Sequence, residues 1–343
     1  MKPLRVGVVG CGIIAKRYVA DSGAFPSWEP VVCCDLDEAA ANAFAAEFGL
    51  RTATFDELIA DPGVDLVLNL TPPRAHAPLV TAALEAGKHV YTEKPLSATV
   101  AEGRELVRLA EQRGVRLGCA PDTFLGSVYE TGRQLIEDGA IARPLGATAT
   151  ILVGGPDTWH PNAEMFYRVG GGPVHDLAPY YLTALVSLLG PIEAVAGFSS
   201  LPTPERVLGA GPRAGQTVTV EVPTHVSALL RHERGALATL TVSFEARDQY
   251  LSGLEVYGTE GSLRLPDANA FGGELVLRRS LHEEVVDIES RGGREARGLG
   301  IEDLAVALRE GRPHRASGEL ALHVLETAEA IVAAAERAET LSV

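Results

Sequence analysis

A short apolar run, Val6-Gly7-Val8-Val9, leads into Gly10-Cys11-Gly12-Ile13-Ile14-Ala15, and an acid, Asp35, closes the next apolar run. Residues of these types at this spacing bind the pyrophosphate and ribose of a dinucleotide. Gly10 permits the tight turn and Gly12 lets the backbone approach a pyrophosphate, while Ala15 stands where a third glycine often sits. The helix that begins near Gly12 and runs to Ser22 offers its first amides, those of Ile13 and Ile14 included, to the phosphates. A carboxylate at Asp35 accepts both ribose hydroxyls of NAD and repels a 2′-phosphate. No Lys or Arg in Cys34-Asp35-Leu36-Asp37-Glu38 offsets its charge. The expected cofactor is NAD(H) rather than NADP(H). Asp37 reads as the N-cap of the helix that follows.

These residues need a frame, and the first half of the chain supplies one. After Val31 to Asp35 come an alanine-rich helix (Asp37 to Phe48), a buried strand (Asp65 to Asn69), a helix (Arg74 to Ala86) and a strand (His89 to Thr92). A helix from Ser97 to Arg113, with Ser97 as its N-cap, and a strand from Val115 to Ala120 complete the series. Such alternation predicts a doubly wound parallel sheet, with ligands beyond the carboxyl ends of its strands, where Thr71-Pro72-Pro73 and Glu93-Lys94-Pro95 fall. Past Tyr129 the pattern changes. A helix through Leu135 and Ile136, the segment Gly146 to Val153 and a helix from Val174 to Leu189 precede a series of strands. These are Val195 to Ser199, Thr217 to Arg231, Ala236 to Phe244, Leu254 to Leu265 and Glu274 to Ile288. Strands in succession imply an antiparallel sheet. Helices from Gly300 to Arg309 and Glu319 to Ala338 close the chain, and Pro202 to Gln216 and Arg291 to Gly298 read as flexible. The reading is α/β: a dinucleotide-binding domain over 1–121, then an α+β domain with a large open, mainly antiparallel sheet over 122–343.

Composition narrows the function. At 343 residues the chain is longer than one core usually serves, and its formal charge of −15 argues against nucleic acid or an anionic membrane as partner. The four cysteines, Cys11, Cys33, Cys34 and Cys119, lie in or beside apolar strands without CxxC spacing, which fits buried thiols in a reducing compartment. The sequence has neither a cleavable leader nor an apolar stretch of membrane-spanning length, so the expected location is the cytoplasm. No two histidines and a carboxylate share a metal-ligand spacing, and no metal is expected.

Gly10-x-Gly12-x-x-Ala15, Thr71-Pro72-Pro73 with His76, Glu93-Lys94-Pro95 and Gly170-Gly171-Gly172-x-x-x-Asp176 together resemble the glucose-fructose oxidoreductase / inositol dehydrogenase / rhizopine-catabolism family (Gfo/Idh/MocA) along essentially the whole chain. The resemblance implies a Rossmann domain, a second domain built on a large open sheet, and reversible oxidation of a secondary alcohol, most often on a sugar, glycoside or polyol. It places Thr71, Pro72, His76 and Glu93 beside the cofactor. It also implies a homodimer or homotetramer formed on the outer face of the large sheet, with which the alternating apolar residues of Leu237 to Phe244 are compatible.

Removing hydride from a carbinol carbon requires a base for the hydroxyl proton and a cation or donor for the charge that develops on oxygen. Lys94 at the sheet edge supplies the second need. Where many relatives read Asp-x-x-x-His, this chain reads Asp176-Leu177-Ala178-Pro179-Tyr180. A phenol with an unperturbed pKa of about 10 is a poor base at neutral pH, but a nearby ammonium favours its anion. Tyr180 is thus the expected acid/base, Lys94 tunes it and polarises the substrate oxygen, and Asp176 binds substrate hydroxyls or orients the pair. The competing reading of Tyr180 and Tyr181 is half-buried aromatic packing. Trp159 suits stacking on a sugar face and His160 lies in the same loop, whereas His175 reads as packing and His225 as pocket or packing. Two other functions use the same cofactor site: a glycoside hydrolase or lyase that oxidises C3 transiently and recycles NAD, and a regulator without chemistry. Intact Lys94, Asp176 and Tyr180 weigh against the regulator, and stoichiometric NADH separates the dehydrogenase from the hydrolase.

Overall fold

The structure, a computed structural model, describes residues 2–246, 251–280, 282–286 and 296–343. Its contacts divide the chain into two compact units, one of Met1–Leu125 with Arg294–Leu325 and the other of Gly126–Gly293 with Glu326–Val343.

The first unit begins with β1 (Leu4–Val9), α1 (Ile13–Asp21), β2 (Trp28–Cys34), α2 (Glu38–Phe48), β3 (Arg51–Thr52) and α3 (Phe55–Ala60). It continues with β4 (Leu66–Asn69), α4 (Pro73–Glu85), β5 (His89–Thr92), α5 (Val100–Arg113) and β6 (Leu117–Cys119). The six strands pair in parallel in the order β3-β2-β1-β4-β5-β6, a Rossmann sheet whose order reverses between β1 and β4. Strands buried on both faces explain the unbroken apolar runs. One face packs Val6, Val8, Leu66, Leu68 and Tyr91 with Tyr18 of α1 and Phe44 of α2. The other packs Val32, Val67 and Val90 with Val80 and Leu84 of α4 and Leu106 of α5. All four cysteines are buried and free, as their setting in these strands suggested.

Asp37 caps α2 as expected, its side chain accepting from the amides of Ala39 and Ala40. The cap of α5 differs. Thr99, not Ser97, stands there, because Thr99-Val100-Ala101-Glu102 forms a reciprocal capping box, while the Ser97 hydroxyl is buried and donates to the Thr99 carbonyl. The boundary at residue 121 also needs correction. The helix Leu299–Glu310 belongs to the first unit, because Ile301 and Leu304 are buried in the same cluster as Val6, Tyr18, Trp28 and Tyr91. Asp122 fastens it, its Oδ2 accepting from the amides of Gly298 and Gly300 at 2.9 and 3.2 Å.

The second unit contains α6 (Ser127–Glu137), β7 (Pro144–Leu152), α7 (Pro173–Asp176), α8 (Ala178–Leu189), β8 (Ile192–Ser200), β9 (Glu205–Val207) and β10 (Thr217–Thr219). Then follow β11 (His225–His232), β12 (Leu237–Ser243), β13 (Leu251–Gly258), β14 (Ser262–Leu265), β15 (Val276–Arg279) and β16 (His282–Val285). After α9, the helix Leu299–Glu310, come α10 (Gly318–Arg337) and β17 (Leu341–Ser342), and the division between units falls inside α10. Nine strands form one sheet, β16-β15-β14-β13-β7-β12-β11-β8-β17, antiparallel except where β7 and β12 run side by side. Its inner face, Ala147, Ile151, Ala228, Leu230, Leu240 and Val242 among others, is buried, and α6 and α8 lie near its strands.

Five sequence expectations change here, two of them because a run read as one strand is a pair, Leu254 to Leu265 (β13 and β14) and Glu274 to Ile288 (β15 and β16). Thr217 to Arg231 is two strands, since Pro223 cannot donate to a ladder and β10 instead pairs with β9. Pro202 to Gln216 is not loose: it carries β9, buried Arg206 and buried Leu208. The helix through Val174 to Leu189 is two helices, because Pro179 supplies no amide to continue α7 and instead sits in the first turn of α8. Of the other flexible stretch, 291–295 lie outside the described residues, as do 287–290, which include the end of the last expected strand.

Candidate active site

Parallel pairing brings the ends of β1, β2, β4 and β5 to one edge, and each exit is fixed by a different device. At β1, Gly10 has φ +91° and a Cβ there would lie 3.0 Å from the Leu70 backbone, so both conformation and space demand glycine. Gly12 is different. A Cβ on it would meet nothing within 4 Å, so the protein's own packing does not require glycine at this place. The opening lies at the N-terminus of α1, which has no side-chain cap and no acidic residue in its first turn. Unfilled amides and an open approach are what a pyrophosphate needs.

At β2, Asp35 is half-buried, its Oδ2 accepting from the Cys11 amide at 2.7 Å and its Oδ1 from the Asp37 amide at 3.0 Å. The glycine loop and the start of α2 are thereby joined through one carboxylate. Beside them Ile13 is 79% exposed and Leu36 is wholly so, an apolar pair suited to flank an adenine. These features fit a dinucleotide.

At β4, Asn69 is fully buried. Its Nδ2 donates to Thr92 Oγ1 on β5 at 3.0 Å, and its Oδ1 accepts from the Thr71 hydroxyl at 2.7 Å. Sequence reasoning missed this residue, although a lone amide ending the run Asp65-Leu66-Val67-Leu68-Asn69 was a signal. His76 calls for a correction, because it is fully buried and not exposed to a cofactor. Its Nδ1 lies 2.7 Å from the Pro95 carbonyl and its Nε2 2.8 Å from the Thr71 carbonyl, so the ring ties the Thr71-Pro72 turn to the Lys94-Pro95 turn. Burial holds its pKa below the usual histidine range.

At β5, the Glu93 carboxylate accepts from the Tyr18 hydroxyl at 3.2 Å and from the Lys94 amide at 3.0 Å. Tyr18 was also missed, having read only as a helix residue. The Lys94-Pro95 bond is cis and Lys94 is half-buried.

In the second unit, Gly170 and Gly172 have φ of +89° and +88°, and a Cβ on Gly171 would lie 2.6 Å from the Phe166 carbonyl oxygen. The triplet therefore serves a turn that folds back on the preceding loop, where the Gly172 amide donates to Phe166 at 2.7 Å. The turn leads into α7, which ends at Asp176. Tyr180 lies in the first turn of α8, its amide donating to Leu177 at 3.3 Å. The adjacent tyrosines divide: Tyr181 is buried with its hydroxyl donating to Asp267 at 2.9 Å, whereas Tyr180 is half-buried.

Trp159 is 65% exposed and meets His160 edge-on at 5.2 Å, and His160 meets Phe166 likewise at 5.0 Å. His160 Nδ1 accepts from the Asn162 amide at 3.1 Å. His225 begins β11, opposite Ser243 and Ser200. His175 packs as expected, Nδ1 2.9 Å from the Gly171 carbonyl and Nε2 3.0 Å from Glu329 Oε1.

Comparison with known proteins agrees with this arrangement. Residues 4–120 match the model of an oxidoreductase family with an NAD-binding Rossmann fold, and residues 129–264 match the Gfo/Idh/MocA C-terminal domain. The chain belongs to the Gfo/Idh/MocA family. Within it, a dTDP-3,4-didehydro-2,6-dideoxy-alpha-D-glucose 3-reductase of Streptomyces violaceoruber is 33% identical over 90% of this chain and 83% of its own. A levoglucosan dehydrogenase of Pseudarthrobacter phenanthrenivorans is 29% identical over 77% of this chain and 73% of its own. A levoglucosan dehydrogenase structure in complex with NADH superposes with a TM-score of 0.86 at 25% identity, covering 100% of this chain and 99% of that one. As a member of this family the protein is an oxidoreductase with an NAD-binding Rossmann domain.

Two predictions follow from the local geometry. Gly12→Ala leaves the melting temperature of the cofactor-free protein unchanged but weakens NADH binding in calorimetry, while Gly10→Ala lowers the melting temperature itself. Equal thermal losses in the two variants would contradict the assignment of Gly12 to the ligand. For His175, burial disfavours the charged ring, but the hydrogen bond and charge of Glu329 and the Gly171 carbonyl outweigh it and leave the pKa raised. Glu329 is lowered, chiefly by its hydrogen bond to His175. The raised histidine stabilises the fold fully below its unfolded pKa of about 6.5 and loses that contribution as pH rises through the folded value. The melting-temperature loss caused by Glu329→Gln is therefore larger at pH 6 than at pH 9, and a loss independent of pH would refute the pairing.

Proposed function

We propose that the protein is an NAD-dependent dehydrogenase or reductase that interconverts a secondary alcohol and a ketone on a sugar, glycoside or polyol. The observation that carries this reading is the set of ties along one sheet edge, which fixes Lys94 in register with the glycine loop and Asp35. Bound here, NAD would supply the hydride acceptor for a carbinol carbon, and NADH the donor in the reverse direction. Gly10, Gly12, Ile13 and Ile14 would hold its phosphates and Asp35 its ribose, with Thr71, Pro72 and Glu93 in the turns beside it.

In this reading the Lys94 ammonium stabilises negative charge on the substrate oxygen and the Tyr180 hydroxyl carries the proton, while Asp176 binds neighbouring hydroxyls. Trp159 offers an apolar face to the sugar ring and His160 a polar edge. The relatives named above act on sugars, which supports that class of substrate. The outer face of the large sheet displays exposed Phe198, Leu229 and Leu237 among serines and threonines, and we assign it to a second copy in a homo-oligomer.

The test uses levoglucosan with NAD and 1,5-anhydro-D-fructose with NADH as first substrates. Tyr180→Phe and Lys94→Ala each lower turnover by ~10²–10⁴-fold and leave NADH affinity nearly intact. Oxidation by the wild type falls as pH is lowered, because the proton acceptor fills, and Tyr180→Phe lacks that limb. Near wild-type turnover in Tyr180→Phe would transfer the proton to Lys94 or His160. Calorimetry finds NADH bound more tightly than NADPH and Asp35→Ala narrowing the ratio; an unchanged ratio would remove Asp35 from the site.

A further inference from the structure

The stretch that read as flexible, Pro202 to Gln216, holds a side chain that stability alone does not account for. Arg206 on β9 is wholly buried. Its Nη2 lies 2.7 Å from Glu245 Oε1 and 3.4 Å from the Phe244 carbonyl, its Nη1 lies 3.6 Å from Asp157 Oδ1, and its Cζ stands 5.6 Å from the centre of the Tyr167 ring. Nε and Nη1 make no hydrogen bond among the described residues. A buried guanidinium satisfied at one end only is a costly way to fill space, and a packed apolar side chain would serve stability as well or better.

The guanidinium is hydrogen-bonded to Glu245 and places its charge 3.6 Å from Oδ1 of the Asp157 carboxylate. The same Oδ1 accepts from the Tyr167 hydroxyl, and the Asp157 carbonyl accepts from the Gly209 amide at 2.7 Å. Asp157 stands two residues before Trp159, and the Pro156 carbonyl accepts from both the Trp159 and His160 amides, at 3.2 and 2.8 Å. Beyond His160 the Pro161 carbonyl lies against Gly211, where φ is +77° and a Cβ would be 2.1 Å from that oxygen. The loop is gripped before Trp159 and after His160 by one segment, residues 206–211. The two aromatic rings lie between the grips.

We propose that Arg206 is the positioning residue of the Trp159–His160 loop, and that the β9–β10 hairpin which carries it governs substrate selectivity by fixing where the indole and imidazole stand. This rests on the reading that the loop meets the sugar. It accounts for a buried charge inside a Gly- and Pro-rich connection: a guanidinium attracts the Asp157 carboxylate at the start of the loop, which apolar packing does not.

Of the chain's two tryptophans, Trp28 is 2% exposed, so the quenchable emission reports Trp159. In the full-length protein, Arg206→Met and Gly211→Ala lower the anisotropy of that emission and increase its quenching by acrylamide, and Arg206→Lys restores part of both. With whichever of levoglucosan or 1,5-anhydro-D-fructose is turned over, kcat/KM falls by ~10–100-fold, mainly through KM, while NADH affinity is unchanged. Should Arg206→Met not fold, Tyr167→Phe and Gly211→Ala decide the matter. Unchanged anisotropy in the folded variants overturns the inference. Trp159→Ala tests the underlying reading separately: an unchanged KM there removes the loop from the substrate, and the anisotropy still judges Arg206.

Discussion

The sheet order reverses between β1 and β4, so the chain leaves those two neighbouring strands toward opposite faces and opens a space at their carboxyl ends. Backbone released at such an edge loses its ladder partners and must find others. Here the replacements are side chains that each join two exits: Asp35 joins the glycine loop to α2, Asn69 joins β4 to β5, and His76 joins the turns that follow them. Remove these ties and Lys94 becomes a lysine on a loose turn. The chemistry assigned to this edge depends on buried polar groups that never touch a reacting atom.

The second unit meets the same problem with charge. Apart from the core under its large sheet, it has a small cluster of Ala163, Tyr167, Leu208, Val218, Val220 and Phe244, and the loop that leads into this cluster carries exposed Trp159 and Met165. Ion pairs supply direction: Arg206 toward Asp157 and Glu245, and Arg213 and Arg168 toward Glu164. The exposed pairs contribute little to stability. The buried one sets the loop.

Much of this was legible in the sequence where the signal is local. The glycine turn, the Asp37 cap and the strand runs depend on neighbours a few residues away, and the parallel sheet followed from their alternation. The failures have two sources: nearby signals left unweighed, as at Thr99 and Pro223, and contacts from far along the chain, as at His76 and Arg206. Ser97 and Thr99 are both plausible caps until Glu102 is seen to answer only one of them. His76 at a helix start resembles a cofactor contact, and only the arrival of Pro95 over it makes it a buried tie. Arg206 gives no local sign of burial, because Gly and Pro on either side describe a turn and not what the turn is pressed against. Pro223 was a local sign, and a strand drawn through it ignored the missing donor.

The return of Leu299–Glu310 to the first unit bears on how the protein is made. When a ribosome has released the first 125 residues, six parallel strands are available but the core around Trp28 and Tyr91 still lacks Ile301, Leu304 and Ala316. Asp122 is then a carboxylate with no Gly298 or Gly300 amide to receive. The nucleotide-binding half, first in sequence, is thus among the last parts to be completed. Until then its unfinished apolar face is the surface that chaperones must cover.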